Sequence, residues 1–305
     1  MPGSELAPQK RISAKGWGLL FLLSLIWGAS FVAISASLTA FPVLTTVALR
    51  VGLGAAALWV YVLWAGLPVP LTVRFWRDSL IVSIFNNILT FLLVAWGQTH
   101  IPSGMTGILN ASTALFAVLV AAIAFPDERL TLRKLMGVSI GLCGVAVIVG
   151  PDALTRLDPT SLGQLAILAA GLSNAMGAAW GRRSQGDVRP EVTAAATLTL
   201  AAVILGPLAL MKDGLPAAPG WKAGFGVAYL ALIATAFGFV LFYRVLQEVG
   251  ASNIGLVTLL IAPIAAALGA LLMHERLSAD ALTGTVLLIV GLAVLDGRAQ
   301  RLLRR

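Results

Sequence analysis

Apolar runs of about twenty residues recur along this chain, separated by short segments that hold most of its charge and many of its Pro and Gly breaks. The runs lack the period-2 alternation of a barrel strand, so they predict helices. Ten are predicted, near 17–36, 43–65, 79–99, 104–125, 134–150, 161–181, 192–211, 222–243, 251–273 and 281–296. In lipid each unsatisfied backbone amide costs several kcal/mol, and a helix satisfies its own. Composition agrees: 59% of residues are hydrophobic and 11% charged, where a soluble domain is roughly a quarter charged. Such a chain cannot cover itself with polar groups.

The formal charge of +8 does not point to nucleic acid, because the basic residues come singly or in pairs between apolar runs. With a cytoplasmic N-terminus the inner segments hold Lys10, Arg11, Lys15, Arg74, Arg77, Arg129, Arg133, Lys134, Arg182, Arg183, Arg189, Arg244, Arg298, Arg301, Arg304 and Arg305. The outer segments hold only Arg156, Lys212, Lys222 and Arg276, and Arg50 lies within a span. That asymmetry predicts a multi-pass protein of the inner (plasma) membrane with both termini cytoplasmic. Ala33 and Ala36 imitate a cleavage site after the first apolar run, but the repeat described next needs that run, so it is expected to be retained.

Shifting the sequence by 147 residues superposes Glu128, Arg129 and Leu130 on Glu275, Arg276 and Leu277, and Gly137, Gly144 and Gly150 on Gly284, Gly291 and Gly297. Matches in one order at one shift mark a duplication. Five spans per copy force the second copy to enter the membrane upside down, giving an all-α polytopic protein of two inverted five-helix repeats. The expected divisions are a cytoplasmic tail at 1–16, a first repeat at 17–150, an outer linker at 151–160, a second repeat at 161–297 and a basic cytoplasmic tail at 298–305.

At these residues the chain resembles the drug/metabolite transporter superfamily, specifically its ten-helix EamA-type exporters. The marks are Trp27, Gly28 and Ser30 in the first span, Arg50 in the second, and a small-residue helix ending in Glu-Arg-Leu before a Gly-rich helix, once per half. Pro263 precedes Glu275 in the second half, while the first half has Thr113 and Ala114 where a Pro is expected. The resemblance is nearest to amino-acid and metabolite exporters, including those of aromatic amino acids. It implies that spans 1 to 4 and 6 to 9 surround a central cavity while spans 5 and 10 lie peripherally. The implied function is alternating-access export of amino acids, broad or neutral-aromatic in specificity, or of related metabolites. A multidrug or nucleotide-sugar-type carrier of the same superfamily is the alternative.

The acidic residues fall in tails, loops and helix ends, so the translocation path reads as neutral or mildly positive and does not favour a buried carboxylate relay. Arg50 is the formal charge within a span and needs a partner: a substrate carboxylate or helix carbonyls, with structural packing as the alternative. Asn86, Asn110, Ser112, Ser173, Asn174 and Thr258 are expected to hydrogen-bond the solute, and amides and hydroxyls suit a zwitterionic or neutral polar one. Trp27 and Tyr243 are expected to shape or gate the site, with Trp96, Trp180 and Tyr229 as further aromatics that approach it. Pro263 is the expected hinge, where a freed carbonyl interrupts the ninth helix.

Gly137 and Gly141 have a spacing that permits close helix packing, and monomer and homodimer both stay open. Cys143 reads as packing. No cofactor or metal set is expected: His100 and His274 lack ligand spacing. His100 beside Ser103 is the one constellation an intramembrane enzyme offers, with no nucleophile-elbow or zincin motif to support it. A scaffold would recruit partners through a soluble domain or long loop, and neither is present in the sequence. The expected partners are thus a small-molecule solute and the lipid bilayer, with no nucleic acid.

Overall fold

The computed structural model describes residues 12–125, 131–150, 158–216, 218, 220–250, 256–276 and 278–296. Glu128, Arg129, Leu130, Arg156, Leu277, Gly297 and the ends of both tails therefore lie outside the described residues. Helices α1 (Ala14–Leu38), α2 (Val43–Trp64), α3 (Val73–Gly97), α4 (Ser103–Ala124), α5 (Leu132–Val149), α6 (Pro159–Ser184), α7 (Pro190–Asp213), α8 (Trp221–Val249) and α9 (Leu256–Met273) are each long and apolar enough to cross a membrane. The helix α10 (Ala279–Asp296) carries a slightly shorter apolar stretch.

Local chemistry sets the helix starts. Ser13, Thr72, Thr131 and Asp158 each occupy an N-cap and accept an amide of the first turn with the side chain. The Thr72 cap starts α3 six residues before the apolar run expected at 79, because buried Asp78 pairs with Arg77 at 3.0 Å and Arg74 at 3.9 Å. α8 likewise continues past Tyr243 to Val249, its polar Glu248 reaching Ser13 and Lys15 at the start of α1.

The helices pack in matched pairs. α2 lies along α7 and α5 along α10; the α1–α9 and α1–α8 contacts recur in the other half as α6–α4 and α6–α3. This is the pairing an inverted repeat requires. Glycines bring α5 and α10 into backbone contact: a methyl built on Gly137 would stand 2.8 Å from the Gly291 carbonyl oxygen, and one on Gly144 2.7 Å from that of Gly284. The Gly137 face is thus consumed within the chain, and Gly141 faces Leu115 of α4. α5 and α10 lie to one side of the other eight helices.

Two irregularities position the interior. α3 and α8 each contain a π-helical stretch, Ser83–Leu89 and Tyr229–Phe237, whose centres at 86 and 233 are separated by the same 147 residues as the sequence repeat. A widened turn changes which side chains face inward and frees carbonyls that α-helical pairing would occupy. Each half supplies a donor: Ser173 of α6 bonds the Phe85 carbonyl at 2.8 Å, and the indole of Trp27 in α1 bonds that of Ala234 at 3.1 Å.

The second irregularity is a break in α4 at Ala111 and Ser112, whose amides donate three residues back instead of four. The stretch before the break packs on α9, whereas Thr113–Ala124 leaves α9 and packs on α6. The expected interruption of α9 at Pro263 is not found; α9 runs unbroken across it, with Pro263 on the exposed side. A proline leaves its surroundings to absorb one missing amide bond, and here the helix does so without breaking.

A candidate solute cavity

The divergence of α4 from α9 opens a cavity of about 590 Å³ between the two halves. α1, α2, α3, α4, α6, α7, α8 and α9 contribute to its wall, and α5 and α10 do not. It reaches the face where α1 begins and α10 ends, since Arg182, Gln185, Gly186, Val188 and Pro190 of the α6–α7 hairpin form its rim. This is the terminal face of the protein. Arg182 stacks on Phe125 at 4.4 Å and so fastens the end of α4 to α6 there.

The opposite face is closed by polar bonds between elements. Glu275, in the turn after α9, accepts the Ser103 amide (2.7 Å), the Ser103 hydroxyl (2.8 Å) and the Gly104 amide (2.8 Å), capping the first turn of α4. Gln98 donates to the Phe31 carbonyl and to Ser35, both at 3.0 Å, joining α3 to α1. Asp213 at the end of α7 accepts the amide and hydroxyl of Thr45 in α2.

Two cations line the cavity, Arg182 at its rim and Arg50 of α2. The Nε of Arg50 donates to Thr235 at 3.0 Å and its guanidinium carbon stands 3.8 Å over the Phe91 ring. Among the described residues Arg50 makes no salt bridge, and the Thr235 contact is the one hydrogen bond it forms, so its terminal nitrogens are uncommitted. A guanidinium presents those donors as a planar fork matched to a carboxylate.

The amides gather beside it. Asn86, Asn87, Asn110 and Asn174 line the wall with Thr113 and Thr258. Asn86 and Asn87 both lie in the widened turn of α3. Asn86 Oδ1, Asn87 Nδ2, Thr113 Oγ1, Gln185 Oε1 and Thr193 Oγ1 are buried without a hydrogen-bond partner. Unpaired buried polar atoms cost about 1–3 kcal/mol each. Five of the nine such atoms among the described residues thus belong to cavity residues, as in a site built for a polar ligand.

Aromatic rings supply much of the apolar surface. Trp27 stacks on Phe242 with centroids 5.6 Å apart, and Tyr243 meets Phe242 edge-on at 5.3 Å. Phe31, Phe91 and Phe239 join aliphatic Ile34, Val82, Val94 and Ile261 in the apolar lining.

Of the residues singled out in the sequence, Trp27, Arg50, Asn86, Asn110, Asn174, Thr258 and Tyr243 are thus brought together on this wall. Ser112 and Ser173 are not. Ser112 is fully buried behind the α4 break, and the hydroxyl of Ser173 is spent on the Phe85 carbonyl. Asn174, the neighbour of Ser173, lines the cavity, while the Ser173 side chain points to α3. Pro263 also stands outside the wall, on the far side of α9.

Trp96 and Trp180 point outward, 39% and 38% exposed, and the hydroxyl of Tyr229 bonds the Ile26 carbonyl at 3.0 Å. The His100–Ser103 pairing does not form a catalytic unit: Ser103 is held by Glu275, and His100 packs on Trp96 and bonds Thr99. Gln185, Thr193, Phe91 and Phe242 were missed by sequence reasoning. The first two lie at helix ends, where polar residues are ordinary, and the rings are indistinguishable in sequence from core or lipid-facing ones.

Residues 14–150 and 161–295 each match the EamA-like transporter family. A protein described as "Uncharacterized transporter YoaV" from Bacillus subtilis (strain 168) is 23% identical over 88% of this chain and 92% of its own length. A "Probable amino-acid metabolite efflux pump" of Escherichia coli (strain K12) is 26% identical over 93% of this chain and 95% of its own. A solved crystal structure 22% identical aligns with a TM-score of 0.66 over 94% of this chain and 99% of that one, and shows the same fold.

Proposed function

The chain belongs to the EamA-like transporter family, a multi-pass membrane transporter and not an enzyme, and from that premise we propose that it exports amino acids or related small metabolites by alternating access. The observation that carries this reading is the cavity itself: a guanidinium with uncommitted donors and a bank of unpaired amide and hydroxyl atoms, reachable from one face. The description of the Escherichia coli relative as an amino-acid metabolite efflux pump supports the solute class.

The charge asymmetry of the loops makes the terminal face cytoplasmic, so the described conformation is the one that loads from the cytoplasm. Two rocking units, 17–150 and 161–297, then expose the cavity to each side in turn, with Pro263 as the proposed flexing point of α9. The inner membrane is the proposed location.

Purified protein in liposomes, loaded with unlabelled amino acids and assayed for counterflow of labelled ones with and without a pH gradient, tests the proposal. Saturable counterflow of amino acids that is insensitive to the gradient is expected, because the wall holds no carboxylate relay among the described residues. Gradient-driven flux of unrelated cationic drugs without amino-acid flux would replace this reading with a multidrug one.

A further inference from the structure

Resting on the carrier reading above, we infer that the cavity selects a carboxylate joined to an apolar or aromatic body, and that an α-ammonium group adds nothing to binding. Charge on the described wall has one sign. Arg50 and Arg182 are its cations, and among the described residues no Asp, Glu or His lines it. Glu191 lies off the wall, next to Pro190, its buried Oε2 3.5 Å from the Arg189 Nε without a hydrogen bond.

A carboxylate has a clear seat. The terminal nitrogens of Arg50 are uncommitted, and its stacking on Phe91 and bond to Thr235 hold the guanidinium plane in place. A charge-assisted hydrogen bond there is among the strongest single contacts a site can make. An ammonium has no such seat. It brings a third positive charge into a cavity already lined by two, requires three acceptors once desolvated, and meets no anion on the wall.

The unpaired oxygens on the wall, Asn86 Oδ1 and Gln185 Oε1, are neutral acceptors. A single amide N–H or hydroxyl satisfies one of them without importing charge. Trp27, Phe91 and Phe242 give the body of the solute flat apolar surfaces. N-acylated aromatic amino acids and arylalkanoic acids therefore match this wall at least as well as free zwitterions do.

Four solutes separate the terms: phenylalanine, N-acetylphenylalanine, 3-phenylpropionate (which lacks the ammonium) and phenethylamine (which lacks the carboxylate). Binding is ranked by ligand-induced thermal shift of the detergent-solubilised protein, and flux by counterflow in liposomes. The two ammonium-free carboxylates are expected within about threefold of phenylalanine or tighter, and phenethylamine about 10- to 100-fold weaker, the range of a charge-assisted hydrogen bond.

In Arg50→Gln the gap between carboxylates and phenethylamine should close, while Arg50→Lys keeps part of it; unliganded melting of both variants reports whether they fold. Phenylalanine binding more than tenfold tighter than 3-phenylpropionate, or phenethylamine matching phenylalanine, overturns the inference. A series with no binding differences overturns it too. Binding ranked as expected but without counterflow of any member would leave the site intact and remove the carrier reading instead.

Discussion

Glu275 holds the opposite face shut through three hydrogen bonds to the start of α4, and replacing it with Gln should unlock that face. In Glu275→Gln the remaining oxygen can still accept from Ser103, but those two bonds lose their charge assistance, which costs about 1 kcal/mol each. The new amide nitrogen turns a donor toward the Gly104 amide, losing the third bond, and the negative charge no longer meets the positive end of α4. The sum is roughly 4 kcal/mol; since Glu275 is only part-buried, solvent screening lowers it to about 2–3 kcal/mol. That shifts the closed-to-open ratio of this face by about 30- to 150-fold.

The assay is the rate at which a membrane-impermeant thiol reagent, applied from the opposite face only, modifies Ile34→Cys in a Cys143→Ser background. Ile34 lines the cavity near that end of α1 and is 3% exposed. Modification should accelerate at least tenfold in Glu275→Gln. An unchanged rate, in protein whose melting shows it folded, would refute the assignment of Glu275 as the closing contact.

Other substitutions probe the remaining parts. Gly144→Val should lower stability by about 3 kcal/mol or more, because the added carbons meet the backbone of α10 at 2.6 Å; an unaltered melting temperature in detergent would contradict the α5–α10 seam. Ser173→Ala should leave solute affinity unchanged and cost about 0.6 kcal/mol of stability, since the Phe85 carbonyl keeps its bond from Thr90. Asn174→Ala should instead weaken solute binding about fivefold, read by the same thermal-shift titration; equal effects of the two would place Ser173 in the site after all. Trp27→Phe keeps the stack on Phe242 but strands the Ala234 carbonyl, so amide exchange across residues 229–237 should quicken.

The spans were legible because lipid allows few solutions: apolar length alone places all ten helices, and only polar extensions escaped, as where Thr72 and Asp78 start α3 early. The duplication was legible at its ends, in the Glu-Arg-Leu and glycine matches, yet its deepest signature, the paired π segments, leaves no pattern in residue type. The break in α4 was invisible for a similar reason. Asn110, Ala111 and Ser112 are tolerated in any apolar helix, and the proline that looked like a breaker lies in α9, which does not break.

For the cavity, polar residues within spans were a sound guide to which helices contribute and a poor one to which side chains face inward. Direction depends on helix rotation, as Ser173 against Asn174 shows.

In the proposed cycle the terminal face closes as the opposite face opens, and the observed cavity is one half of it. Spin labels at Gly18→Cys and Ile123→Cys span the open side, from α1 to the diverging end of α4, and a second pair at Thr99→Cys and Leu272→Cys spans the closed side; all four positions are exposed. Pulsed electron–electron distance measurements in liposomes, with a saturating transported solute and without it, should show a second population in which the first distance shortens while the second lengthens. Distances that keep a single value under every condition, or that lengthen and shorten together, would contradict it.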